Sequence, residues 1–173
     1  MRYAKIERNS IANGTGVRVV LWCQGCSMHC KGCHNEQTWD FSGGFEFDEQ
    51  AKKLIYKELR KRWVAGITIS GGHPLEPENA DECLSLIKEI RTKFPKKTVW
   101  LYTGRTLDNV FEDTHNPIYQ IYREIVSLCD VVVDGCYIED ERNIGLKWRG
   151  SSNQRVIDVK KTLLEGRVIE IED

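Results

Sequence analysis

Cys26, Cys30 and Cys33 stand in the run GCSMHCKGC, a C-x3-C-x2-C spacing that puts three thiols within eight residues. Deprotonated, they can hold three corners of a four-iron cluster and leave the fourth iron without a side-chain donor. A metal with an open coordination site can bind and transform a small molecule, as catalytic zinc centres do. Iron–sulfur clusters are normally tied down by four Cys, so three suggest chemistry rather than electron storage. Cys23 extends the pattern to C-x2-C-x3-C-x2-C and leaves two other readings open. One is a closed four-Cys cluster that carries electrons, with Cys23 as fourth ligand; the other is a structural zinc knot. Paired C-x2-C zinc sites usually separate their pairs by about a dozen residues or more, and three residues leave little chain to wrap a tetrahedron.

The bulk properties narrow the setting. The chain of 173 residues fits one domain spanning 1–173 and can bury a sizeable core. Its net charge of −1 lacks the basic surplus of an electrostatic nucleic-acid binder. No apolar run approaches the roughly 18–20 residues of a membrane span, and MRYAKIERNS lacks the apolar stretch of a secretory signal. Seven Cys in such a chain point to a reducing cytoplasm, where clustered thiols more often bind metal than pair as disulfides. No repeat, low-complexity stretch or linker is visible.

The elements that must position the thiols follow from hydrophobic pattern. Val17–Trp22 is an apolar run with one charge, Arg18, and reads as a buried strand leading into the Cys loop. Asp48 offers an N-cap to a helix reaching about Trp63, with Ala51, Leu54, Ile55 and Leu59 on one face. Ile67–Ile69 predicts a second strand, ending in Ser70-Gly71-Gly72-His73-Pro74. A helix follows from about Glu78 to Phe94, with Ala80, Cys83, Leu84, Ile87 and Phe94 inward, and Pro95 stops it. Val99–Tyr102 is a third strand, before Thr103-Gly104. Pro117 suits the first turn of a third helix striped by Ile118, Ile121, Tyr122, Ile125 and Leu128. Val131–Val133 is a fourth strand, before Asp134-Gly135.

Alternating strands and helices imply a parallel sheet with right-handed crossovers. Such a sheet brings its strand ends to one rim, where α/β proteins build sites. A closed eight-fold barrel typically needs about 250 residues, so the expected architecture is an open, partial β/α barrel. Its vacant side would admit a large partner. Gly71 and Gly72 remove two side chains and let backbone approach a ligand, while Pro74 fixes the following turn. A Gly-Gly-x-Pro alone can be a plain strand-to-helix turn; one strand after the Cys loop, a ligand-facing role is favoured.

GCSMHCKGCHN at Gly25–Asn35, SGGHPL at Ser70–Leu75, LYTGRT at Leu101–Thr106, VDG at Val133–Gly135 and KWRGSSNQRVID at Lys147–Asp158 together carry a resemblance. The chain resembles the radical S-adenosylmethionine (SAM) superfamily. Within it, the chain is similar to the glycyl-radical activases that serve anaerobic ribonucleoside-triphosphate reductase. The resemblance implies a partial parallel β/α barrel of the radical SAM type. It implies one [4Fe-4S] cluster on Cys26, Cys30 and Cys33, with SAM on the open iron. It further implies a 5′-deoxyadenosyl radical that makes a glycyl radical on the reductase, and an external one-electron reductant such as flavodoxin. Gly71, Gly72 and His73 would meet the SAM ammonium, and Gly32, Cys33 and His34 its adenine side. Asp134 would accept from a ribose hydroxyl or the ammonium, or else cap a turn.

Two positions depart from the family pattern. His73 stands where relatives commonly carry an acid, so an imidazole meeting the ammonium must be neutral. Gly32 stands where many carry an aromatic residue, which leaves His34 as the stacking candidate. Cys83 and Cys129 read as core fillers, Cys23 as a neighbour of the cluster, and Cys136 as a structural residue within reach of the site. His29 and His115 read as solvent or structural residues, and Trp39, Phe41, Phe45 and Phe47 as a flap over the core. Arg149 and Arg155 read as surface ion pairs or carboxylate partners, and Ser151, Ser152 and Asn153 as a polar turn.

Overall fold

The computed structural model describes residues 1–113 and 115–172. In chain order its elements are β1 (Arg2–Ser10), β2 (Val17–Cys23), β3 (Phe45–Glu46), α1 (Glu49–Leu59), β4 (Val64–Gly71) and α2 (Pro77–Lys93). β5 (Thr98–Tyr102), α3 (Leu107–Glu112), α4 (Ile118–Ser127), β6 (Val131–Asp134), β7 (Arg155–Asp158) and α5 (Val159–Glu165) complete them. The strands form one seven-stranded sheet in the order β3-β1-β2-β4-β5-β6-β7. Its centre, β2-β4-β5-β6, is parallel, whereas β1, β3 and β7 pair antiparallel. The fold is therefore mixed α/β, and β3 and β7 remain separate edges.

The four buried strands form where the apolar runs predict them. Their alternation sends Val19, Leu21, Ile67, Ile69, Val99, Leu101 and Val132 to the face packed by helices. Each such buried aliphatic side chain contributes about 1.5–3 kcal/mol. Asp48 caps α1, accepting from the N–H groups of Gln50 and Ala51, and Pro77 opens α2 at its first turn. α1 stops at Leu59 rather than near Trp63, whose ring is exposed while Val64 already starts β4. Sequence pattern misses the antiparallel strands β1 and β7: β1 is half-exposed and mixes charged with apolar residues, and β7 is four residues long.

The opposite sheet face carries a smaller cluster of Trp100, Val131, Val133 and Val156, with Trp148 folded edge-on against Trp100 at 5.2 Å. Arg18 is fully buried there, the lone charge of its strand. Its guanidinium donates to Thr68 Oγ1 at 2.7 Å, Ile67 O at 2.6 Å and Thr98 Oγ1 at 2.9 Å, and lies over Trp100. Burial pulls its pKa down to about 10, and the donors remain satisfied.

Parallel register decides which loops meet. Cys23 pairs with Gly71, Ile69 with Leu101, and Tyr102 with Val133. The strands thus end at one level, and the Cys loop, Gly72-His73, Thr103-Gly104 and Gly135-Cys136 emerge side by side.

Candidate metal centre

The Cys loop is pinned before any ligand is considered. Gly25 N–H donates to Thr38 O at 2.8 Å and Cys26 N–H to Trp39 O at 3.2 Å, closing the loop on itself. His73 N–H donates to Gly25 O and Gly72 N–H to Cys23 O, each at 2.8 Å, tying the loop to the end of β4. Asn79 reaches from the first turn of α2 to the carbonyls of Gln24 and His73, both at 3.0 Å. These bonds hold the segment that carries Cys26.

Cys26, Cys30 and Cys33 border one cleft, whose facing wall is Ser70–His73. Among the described residues no three His, Cys, Asp or Glu side chains close on a single point as ligands of one ion do. The three thiols border the cleft instead, and three cysteines are a donor set suited to an iron–sulfur cluster. Burial pushes the Cys26 thiol pKa up, against backbone hydrogen bonds from Met28 and His29. Asn35 N–H donates to Cys33 Sγ at 3.4 Å; such hydrogen bonds to sulfur tune a cluster's potential.

Gly71 and Gly72 line the cleft, and their bareness has a second cause. A Cβ on Gly71, at φ +101°, would lie 2.5 Å from Cys23 N, and one on Gly72 would lie 2.4 Å from Gly25 O. The glycines let the Cys loop pack on β4.

His73 is buried, with Nδ1 3.1 Å from Glu76 Oε1 and Nε2 2.8 Å from Thr103 Oγ1. Burial lowers its pKa despite the neighbouring carboxylate. The ring is therefore neutral, and the Glu76 contact is a hydrogen bond rather than an ion pair. Burial alone would raise the Glu76 carboxyl, but bonds from His73 and from the Ser27 N–H and hydroxyl hold it down to about 2. Ser27 follows Cys26, so this buried chain braces the ligand loop.

Other predicted residues fall elsewhere. His34 is exposed, edge-on to Tyr137 at 5.9 Å, in an adjoining groove that includes Cys33 and Trp148. Gly32 is exposed and lies against the Glu139 carboxylate. The structure does not bring Asp134 to the cleft surface. It is fully buried, takes two bonds from Arg155 at 3.0 and 2.6 Å, and accepts from Leu107 N–H at 2.7 Å. Arg155 also pairs with Asp108.

Cys23 lies in the helix-covered core, its sulfur 4.0 Å from Cys83 and 3.9 Å from Met1 Sδ. Period-two alternation turns it away from the cleft, which removes the fourth ligand of the Cys23-based carrier. Cys83 and Cys129 are buried as core fillers. Phe47 joins the core, whereas Phe45 is exposed beside Tyr3, and Trp39 stacks on His29 at 4.6 Å and enters the cleft wall. Sequence reasoning set the Cys loop and Thr103-Gly104 at the rim and held Cys136 within reach of the site, and it missed Tyr102 and Gln154 as cleft residues. The signal for Thr103 and Cys136 was available, since each follows a parallel strand end.

A family model described as a 4Fe-4S single cluster domain matches residues 12–157. Open α/β sheet, thiol-bordered cleft and family match together define an iron–sulfur protein. Three curated relatives share the name anaerobic ribonucleoside-triphosphate reductase-activating protein. That of Enterobacteria phage T4 is 39% identical over 158 residues, 90% of this chain and 93% of its own. That of Escherichia coli (strain K12) is 35% identical over 158 residues, 90% of this chain and 97% of its own. That of Pasteurella multocida (strain Pm70) is 35% identical over 156 residues, 89% of this chain and 95% of its own. The chain belongs to this family of anaerobic ribonucleoside-triphosphate reductase-activating proteins.

Proposed function

We propose that this chain is an iron–sulfur, SAM-dependent oxidoreductase that makes a glycyl radical on anaerobic ribonucleoside-triphosphate reductase. The observation that carries the reading is the cleft itself, in a chain of that family: three loop thiols facing Ser70–His73 across the parallel rim. Cys26, Cys30 and Cys33 would hold a [4Fe-4S] cluster and leave one iron for SAM. Bound there and reduced, such a cluster would supply the electron for reductive cleavage of SAM and so the radical chemistry directed at a glycine of the reductase.

The chain's own groups position and protect. Gly71 and Gly72 present bare backbone to the amino-acid end of SAM. His73, held neutral by burial, adds no positive charge against the SAM ammonium. Gly32, Cys33 and His34 serve the adenine side. Asp134 acts at one remove, fixing the start of α3 and Arg155. The electron comes from an external donor such as flavodoxin. The reading sets the protein in the cytoplasm, where its seven free thiols stay reduced; no helix among the described residues is long and apolar enough to cross a membrane.

The test is anaerobic incubation of the reconstituted protein with SAM, dithionite and the purified reductase, followed by electron paramagnetic resonance and chromatography. A glycyl-radical signal with 5′-deoxyadenosine and methionine supports the reading. Intact SAM and no radical, from protein with full iron content, overturns it. SAM cleavage without a radical on this reductase would redirect it to another glycyl-radical partner.

A further inference from the structure

A fourth thiol borders the cleft, and the cluster reading leaves it without a role. Cys136 follows Gly135 at the end of β6, across the parallel rim from the Cys loop, and borders the cleft with Cys26, Cys30 and Cys33. Among the described residues the three remaining cysteines, Cys23, Cys83 and Cys129, are buried in the core. The Cys136 thiol is half-buried and donates to Gly104 O at 3.3 Å. It thus shares the cleft with the three proposed ligands while coming from the opposite wall.

Other polar groups on that wall are committed. Both His73 ring nitrogens are bonded, to Glu76 and Thr103. The Tyr102 hydroxyl donates to Trp148 O at 2.7 Å. Gln154 accepts from Gly150 N–H and donates to Gly135 O. Ser70 offers a hard hydroxyl oxygen, a poorer match to cluster iron than a thiolate. Cys136 makes one bond through its hydrogen and keeps its sulfur lone pairs.

We propose that Cys136 is an exchangeable fourth thiolate ligand, holding the remaining iron until the amino-acid end of SAM takes its place. The inference rests on the SAM-dependent reading above. On ligation the Cys136 S–H bond breaks and its proton passes to solvent. On exchange its bond to iron breaks, the sulfur takes a proton back, and the SAM amine and carboxylate fill the position; no electron moves. The device would protect the open iron from loss or oxidation while the nucleoside is absent. Its cost is affinity: where a self-ligand occupies about nine tenths of molecules, apparent binding weakens about tenfold.

The test is Mössbauer spectroscopy of 57Fe-reconstituted wild type, Cys136→Ala and Cys136→Ser holoprotein, with and without SAM, alongside SAM binding by calorimetry. In SAM-free wild type about nine tenths of the clusters carry sulfur-only ligation at all four irons. SAM then converts one to nitrogen/oxygen ligation. Cys136→Ala shows that converted iron before SAM is added and binds SAM about tenfold more tightly. Loss of cluster in Cys136→Ala leaves the decision to the wild-type spectra and to Cys136→Ser, whose oxygen ligand gives its own shifted site. A nitrogen- or oxygen-ligated iron already present in most molecules of SAM-free wild type overturns the inference. So does a Cys136→Ala spectrum identical to wild type. Sulfur-only ligation that saturating SAM leaves unchanged in every protein instead overturns the SAM-dependent reading.

Discussion

Gly72→Ala tests whether the Gly-Gly pair serves the Cys loop's own packing or only the approach of a ligand. The new Cβ would lie 2.4 Å from Gly25 O, 2.9 Å from Gly25 C and 3.0 Å from Thr38 O. All three atoms are backbone, so relief requires the loop or the end of β4 to move. Overpacking of this kind costs about 1–3 kcal/mol. The shift also strains the 2.8 Å bonds His73 N–Gly25 O and Gly25 N–Thr38 O, each worth about 1 kcal/mol net. The sum is about 3 kcal/mol, a fall in Tm of roughly 6–12 °C for a chain of this size. Because Gly25 precedes Cys26, the iron bound after reconstitution should fall as well. The assay is thermal unfolding by circular dichroism, with iron and sulfide analysis. Gly145→Ala is the control, its Cβ meeting only the Asn143 side chain at 3.2 Å. A Gly72→Ala protein with wild-type Tm and full iron, weakened only in SAM affinity, would refute the packing argument.

Cys26→Ala, Cys30→Ala and Cys33→Ala should each abolish SAM cleavage, whereas Cys23→Ala should keep the cluster and lose about 1 kcal/mol for its core cavity; iron content and urea unfolding separate the two. Asp134→Ala should cost about 3 kcal/mol, because Leu107 N–H and Arg155 lose a buried carboxylate, read from the urea midpoint. His73 has a lowered pKa and Glu76 one of about 2, so the unfolded chain binds more protons than the folded one in acid. Stability should therefore fall as pH drops through about 6.5 and again from about 4.3 downward, and Glu76→Gln should flatten the lower limb of a Tm-against-pH series. His73→Asp should lower Tm, since it sets a second carboxylate against buried Glu76.

The four central strands were legible because each is a short apolar run followed by glycine or a polar turn. Asp48 marked its helix start through local chemistry alone. β1 was not legible, since a half-exposed strand that mixes charged with apolar residues lacks a full apolar signature. Cys136 was legible only as a residue after the Asp134-Gly135 turn within reach of the site; the register between strands puts it on the cleft wall. Asp134 was over-read for the converse reason. A carboxylate at a strand end resembles a ligand contact until the partner 21 residues later is seen to occupy it.

The cysteine spacing, an intrinsically local pattern, determined from sequence alone that three thiols share one loop. Strand periodicity likewise determined that this loop opens onto a parallel rim. What only the tertiary structure decided is which way each side chain at that rim turns and what already holds it. Cys23 points into the helix-packed core and Cys136 into the cleft, a distinction set by pleat and register between strands far apart in the chain. The same packing buries His73 as a neutral ring, because the cost of charge there depends on neighbours that no single segment contains.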